Sequence, residues 1–162
     1  MAAIVNKLGP GTLKIGEVGT EVDFSCQVTA AHVDTNVDEG DDTIVLCGET
    51  VPGARTYSHS LAGSLLQDLN ASGIVAFTWE HPGEQVPFDF APLTAGAAKV
   101  AGTLIVDPLT IGGDEAGANM SSDFEFAIVG TPTFTPALDP VVTAEGAAAG
   151  AKGQKPVENV AA

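Results

Sequence analysis

The sequence predicts a mainly β fold with a single helix, and three observations carry that prediction. Apolar and polar residues alternate through several short runs. In the clearest, Val22, Phe24, Cys26 and Val28 fall on one side and Glu21, Asp23, Ser25, Gln27 and Thr29 on the other. Nineteen glycines and ten prolines punctuate the runs, as a fold of many strands and turns requires. One stretch, Leu65 to Glu80, departs from alternation: Leu65, Leu69, Ala76 and Glu80 fall near a helical stripe, and Pro82-Gly83 stops it.

In chain order, residues 1–11 read as an arm that ends at the Gly9-Pro10-Gly11 turn signal. Thr12–Val18 and Thr20–Thr29 read as strands, the second with one dry and one acidic face. Asp34, Asp38, Glu39, Asp41 and Asp42 crowd into a stretch that reads either as a solvated hairpin loop or, since mutually repelling acids are costly to hold still, as a loop that orders only against a partner. Asp34, Asn36 and Asp38 match the first ligand positions of an EF-hand. Glu39 stands where that loop needs glycine, however, and Val45 where it needs a bidentate acid.

Thr43–Glu49 and Thr56–Gly63 read as further strands. Ser64 is then the expected helix N-cap, with Asp68 in the first turn. Gly73, Ile74 and Val75 are poor helix formers, which points to a late start or a break there. Val86, Phe88 and Phe90 alternate with Pro87 and Asp89, then PLTAGAAK reads as a loop. Lys99–Asp107 and Asp123–Val129 complete the strands, separated by a Gly/Ser-rich loop. The domain expected is 12–135, and 136–162 is a low-complexity C-terminal arm without aromatic residues.

Charge excludes one function class. With 21 acidic residues against 6 basic ones the formal net charge is −15, and the lysines and arginine are scattered singly; a nucleic-acid binder needs them clustered to displace counterions. No apolar run approaches the roughly 18 residues of a membrane helix. The segment MAAIVNKLGPG lacks the sustained apolar stretch of a secretory leader, so a soluble chain folded in a cytoplasm is expected. Cys26 and Cys47 lie in apolar runs and are expected as buried free thiols.

Catalytic signatures are missing from the pattern. Ser58, His59 and Ser60 are adjacent and would splay to opposite faces of a strand, and no G-x-S-x-G elbow surrounds Ser64. His32 and His81 have no second ligand at metal spacing. Glu80 and Glu84 flank a turn, where carboxylates are ordinarily solvated ends of elements. No P-loop is present. No enzyme, cofactor or metal site is expected.

The segment GIVAFTWEHPGEQVPFDFAP, Gly73–Pro92, resembles the major tail tube protein of long-tailed, non-contractile bacteriophages, and the likeness in element order spans roughly Thr12–Thr135. The resemblance implies a β-sandwich or partial barrel with one flanking helix. It further implies hexameric rings, whose sheets join into a tube-lining β-barrel and which stack into a conduit for genomic DNA ejection. A virion tail assembled in the host cytoplasm would be the location, with tape measure, tail terminator and distal tail proteins as partners, no membrane, and DNA passing without specific binding. On the same resemblance Glu21, Asp23, Asp107 and Glu125 would face the lumen, and Asp34, Asp38, Glu39, Asp41 and Asp42 would form a ring-stacking loop. Leu65, Leu69, Phe77 and Trp79 would pack the helix against its own sheet or a neighbour's. The alternative is a β-sandwich binding module for carbohydrate, or a capsid decoration protein; one Trp and one Tyr are a thin supply of stacking rings for a glycan.

Overall fold

The structure, a computed structural model, describes residues 5–94 and 97–137. Nine strands and one helix follow in order: β1 Thr12–Ile15, β2 Val22–Asp23, β3 Val28–Glu39, β4 Thr43–Ile44, β5 Thr50–Val51, β6 Arg55–Leu66, α1 Ile74–Glu80, β7 Gln85–Leu93, β8 Ala98–Ile105 and β9 Ser121–Thr135. Seven strands form one sheet in the order β2-β1-β7-β8-β9-β6-β3, and β4 and β5 form a separate pair. Every pairing is antiparallel. The expected C-terminal arm from residue 138 onward lies outside the described residues.

The sheet is curled. Its outermost strands, β2 and β3, are separated in sequence only by Phe24–Gln27, which can span at most roughly 18 Å. Those four residues lace the two ends together. Phe24 N–H donates to the Leu13 carbonyl at 2.8 Å, and the Gln27 carbonyl accepts from Leu66 N–H at 2.8 Å. The result is a partial barrel, and the face it encloses holds the core: Leu13, Ile15, Leu61, Leu65, Phe88, Leu104, Phe124 and Phe126 among others.

The run Thr20–Thr29 is therefore not one strand. Asp23 Oδ1 accepts from Ser25 N–H at 2.8 Å and Ser25 Oγ accepts from Leu13 N–H at 2.9 Å. These side chains offer the backbone an alternative to the ladder and turn the chain. Phe24 is driven fully inside, while Cys26 stays exposed on the turn. Cys47 is exposed as well, so neither thiol is buried as expected.

The helix is shorter and later than the apolar stripe suggests. Ser64 is not its cap but a residue of β6, paired between Ala30 and Asp123. Leu65, expected on the helix, is a core residue of β6. Leu69 sits half-exposed in the connection. Strand partners on both sides of β6 override a weak local helical pattern. Asp68 Oδ1 accepts from Asn70 N–H at 3.1 Å and organises the turn into the helix.

α1 then begins at Ile74 behind Gly73, the position where propensity is poorest. Ile74 and Val75 are each 2% exposed. Burying such a side chain contributes about 1.5–3 kcal/mol, several times the roughly half a kcal/mol that β-branching costs in a helix. Phe77 packs against this core and meets Phe24 edge-on at 6.4 Å. Trp79 does not pack inward: it is half-exposed and its indole N–H donates to the Leu109 carbonyl at 2.9 Å. Thr78, fully buried, accepts from Leu109 N–H at 3.3 Å, so the helix is pinned to the segment after β8.

Candidate functional site

Two surfaces stand out, the polar face of the curled sheet and a long hairpin that leaves it. Registers place the polar-face residues in cross-strand rows. Lys14 of β1 lies between Asp23 of β2 and Asp89 of β7. Across the other half, His32–Ala62–Glu125 and Ala30–Ser64–Asp123 run from β3 through β6 to β9. Alternation puts these side chains opposite Leu13, Phe88, Leu61 and Phe124, which fill the core.

Each basic group described on this face sits against a carboxylate. Lys14 Nζ is 3.8 Å from Glu21, Lys99 Nζ donates to Asp89 at 3.2 Å, and His32 lies 3.2 Å from Asp34. Exposed pairs such as these add about 0–1 kcal/mol to stability. Their larger consequence is for the surface, because each cation, though still half-exposed, has a carboxylate beside it, on a face of acids with small Ala, Ser and Thr between them.

Two carboxyls here are held below the ordinary carboxylate range. For Glu21 the main cause is the Gly19 N–H, which donates at 2.6 Å, with Lys14 a lesser contributor. For Asp23 it is hydrogen bonding by the Ser25 hydroxyl, then the Ser25 N–H.

Of the residues expected to line a lumen, Asp23 and Glu125 lie on this face, on β2 and β9. Glu21 lies just before β2 and reaches the face through Lys14. Asp107 lies past the end of β8, exposed. Sequence reasoning missed Asp89, Asp123, Lys14 and Lys99. The first two were available from the period of two, since Asp123 precedes Glu125 by one repeat and Asp89 sits between Phe88 and Phe90. The lysines needed the register.

The acidic stretch is built differently from the expected loop. Asp34, Asp38 and Glu39 are strand residues of β3, and only Asp41 and Asp42 lie beyond it. Alternation was disguised because both faces of this strand are wet. From Asp34 to Ser58 every residue but Gly53 is exposed, so the ends of β3 and β6 form an arm that buries nothing of its own.

Glu39 pairs with Arg55 across the arm at 3.1 Å. Asp42 Oδ1 accepts from Gly53 N–H at 2.9 Å and closes the neck. Beyond the neck, β4 and β5 make a tip whose turn is Val45–Gly48, with Gly48 N–H donating to the Val45 carbonyl at 2.8 Å. Gly48 has a φ of 86°, the left-handed residue that such a hairpin turn needs. The strand expected over Thr43–Glu49 is thus two strand residues and a turn. An isolated hairpin is marginally stable in water, and among the described residues no third strand pairs with this one.

Neither surface has the makings of a catalytic centre among the described residues. No group of three or more His, Cys, Asp or Glu side chains is placed to hold a metal ion. Among the described residues no helix is long and apolar enough to cross a membrane.

No protein-family model matches the chain, and no curated protein matches it in sequence. Solved structures do match. A chain in the tail of an empty gene transfer agent particle, of C6 symmetry, superposes with a TM-score of 0.55 at 20% identity, covering 76% of this chain and 94% of that one. A chain in the virion of a native gene transfer agent particle gives 0.53 at 20% identity, over 76% and 95%. The fold is therefore a mainly β partial barrel with one flanking helix, shared with chains of virion tails, in agreement with the resemblance carried by Gly73–Pro92.

Proposed function

We propose that this chain is a structural virion protein that polymerises as stacked hexameric rings to form a tail tube, an acidic conduit through which genomic DNA leaves the particle. The observation that carries the reading is the polar sheet face, acidic and with each of its two lysines paired to a carboxylate, on a fold shared with a chain from a C6-symmetric tail. A ring of six would carry a formal charge of about −90, and an acidic lumen whose few cations are paired repels a phosphate backbone instead of holding it. Asp23, Asp89, Asp123 and Glu125 are the lumen residues on this reading, and Glu21 supports them through Lys14. Asp107, which the family resemblance placed in the lumen, sits past a strand end and is left with a marginal role.

The arm from Asp34 to Ser58 is the ring-stacking element. The tape measure, terminator and distal tail proteins of such a tail would meet only the first and last rings. Assembly in the host cytoplasm and location in the virion tail follow from the same reading, as does the absence of catalytic work.

Negative-stain electron microscopy of concentrated protein tests it. Tubes or rings with a central hole are expected, and a protein that stays monomeric at every concentration sinks the proposal. Replacing Asp41–Pro52 by a two-residue Asn-Gly turn should leave a folded monomer that forms no tubes. Normal tubes from that variant would remove the stacking role from the arm.

A further inference from the structure

The tip of the arm is apolar where it is most exposed. Ile44, Leu46 and Val51 are 75%, 106% and 51% exposed, and Val45 stands beside them. Leu46 and Cys47 occupy the two central positions of the Val45–Gly48 turn. The hydrogen bonds through that turn and the neck fold the tip into a hairpin, so these side chains are presented as a knob at the end of the arm. The register of β4 and β5 puts Val45 and Val51 on one face of the hairpin and Ile44 on the other, so apolar side chains project on both sides of the tip around Leu46, and exposed apolar surface of this kind marks a contact site.

A matching concavity lies at the other end of β3. Where the curled sheet stops short of closing, no ladder joins β1 to β3, and an apolar groove of about 430 Å³ opens there. Leu8, Pro10, Val28, Phe90 and Pro92 line it, with Cys26 among them. None of its lining residues is charged, although 21 residues of the chain are acidic, and the exposed Lys7 adjoins Leu8. An arm collared by Asp41 and Glu49 meets like charge on the polar sheet face but not here.

The groove's own arm cannot fill it. β3 starts at the groove with Val28 and runs as extended chain to Glu39, which carries the tip roughly 35 Å away. We propose that the knob formed by Ile44, Val45, Leu46 and Val51 inserts into the groove at Leu8, Pro10, Val28, Phe90 and Pro92 of a second copy of this chain. Knob and groove are different patches at opposite ends of one molecule. Their contact is therefore heterologous, one patch of each copy against a different patch of the next, the kind of contact that propagates from copy to copy instead of pairing two copies and stopping. This inference rests on the tube reading and names the surface that receives the stacking arm.

The chain's two cysteines supply the test. The knob's Cys47 sits next to Leu46, and Cys26 lines the groove, so docking brings them into reach of a short bismaleimide. Assembled wild-type protein treated with this reagent should give a ladder of covalent multimers on a denaturing gel. Cys26→Ser and Cys47→Ser should each abolish the ladder without preventing assembly. Leu46→Asp and Leu8→Asp, both at exposed positions outside the core cluster, should keep the wild-type circular dichroism spectrum. Each should raise the concentration needed for assembly about tenfold or more, because a charge would have to enter an apolar groove.

Tubes that form without cross-links overturn the docking and leave the tube reading intact. Cross-links that survive Cys26→Ser mean tip-to-tip contact and overturn it too. Wild-type protein that neither assembles nor cross-links overturns both.

Discussion

Glu21 illustrates how single residues set this molecule's behaviour with pH. Its carboxyl is held below the ordinary carboxylate range by the Gly19 N–H, so the charged form is favoured in the folded state. A depressed pKa contributes stability that is present above the unfolded-state value and is lost as pH falls through the folded one. Glu21→Gln, which cannot ionise, should therefore melt below wild type at neutral pH, with the gap closing on the acid side of the carboxylate range. Thermal melts across that range check it, and a gap that stays constant would show the charge to be immaterial. Gln67 works by a different route. Its side-chain amide donates to the Gly112 carbonyl at 2.6 Å and to Ser122 Oγ at 2.7 Å, and its carbonyl accepts from Gly112 N–H at 3.0 Å. Gln67 thereby ties Gly112 to β9, beside the direct bond from Ser122 Oγ to the Thr110 carbonyl at 2.7 Å. Gln67→Ala should cost about 1–3 kcal/mol in urea denaturation, the range for polar groups left unpaired away from water. Nothing in the spacing around Gln67 marks it, because its partners are 45 and 55 residues away.

Among the elements, the arm departs most from what its sequence suggests. A run of acids reads as loop because repulsion disfavours order, yet β3 continues through Asp34, Asp38 and Glu39. The opposing strand supplies ten consecutive partners beyond the bulge near Val28 only by running the length of the hairpin. Ladder hydrogen bonds and the Glu39–Arg55 pair outweigh repulsion among exposed acids, which solvent screens. The neck is the stiff point. A Cβ on Gly53 would run into the Gly40 carbonyl, and backbone there has no room to yield. Gly53→Ala should leave the melting of the partial barrel unchanged while speeding hydrogen exchange at Val45, Gly48 and Gly40, whose amides are bonded in the tip and neck. Equal exchange rates in the variant would show that the neck tolerates the methyl group.

At the scale of the whole molecule, the charge of −15 opposes any association of copies, whereas the knob and groove are uncharged. Salt then acts on one side of the balance only. Raising ionic strength from roughly 0.05 M to roughly 0.5 M shortens the Debye length about threefold, so light scattering should show assembly at lower protein concentration. An interface held by ion pairs would respond in the opposite direction. The mainly β class and the strands Val86–Phe90, Lys99–Asp107, which ends in the structure at Ile105, and Asp123–Val129 were legible in the chain alone. Those features are local: periods of two, turn residues and net composition need no knowledge of distant partners. The fold was needed to show that Leu65 belongs to a strand, that α1 starts at Ile74, that Cys26 and Cys47 face solvent, and that Lys14 and Lys99 are each paired with a carboxylate. Each of those depends on which strand lies alongside, and antiparallel pairings such as Lys14 with Asp89 or Leu65 with Val28 join residues too far apart in the chain for any local pattern to record them.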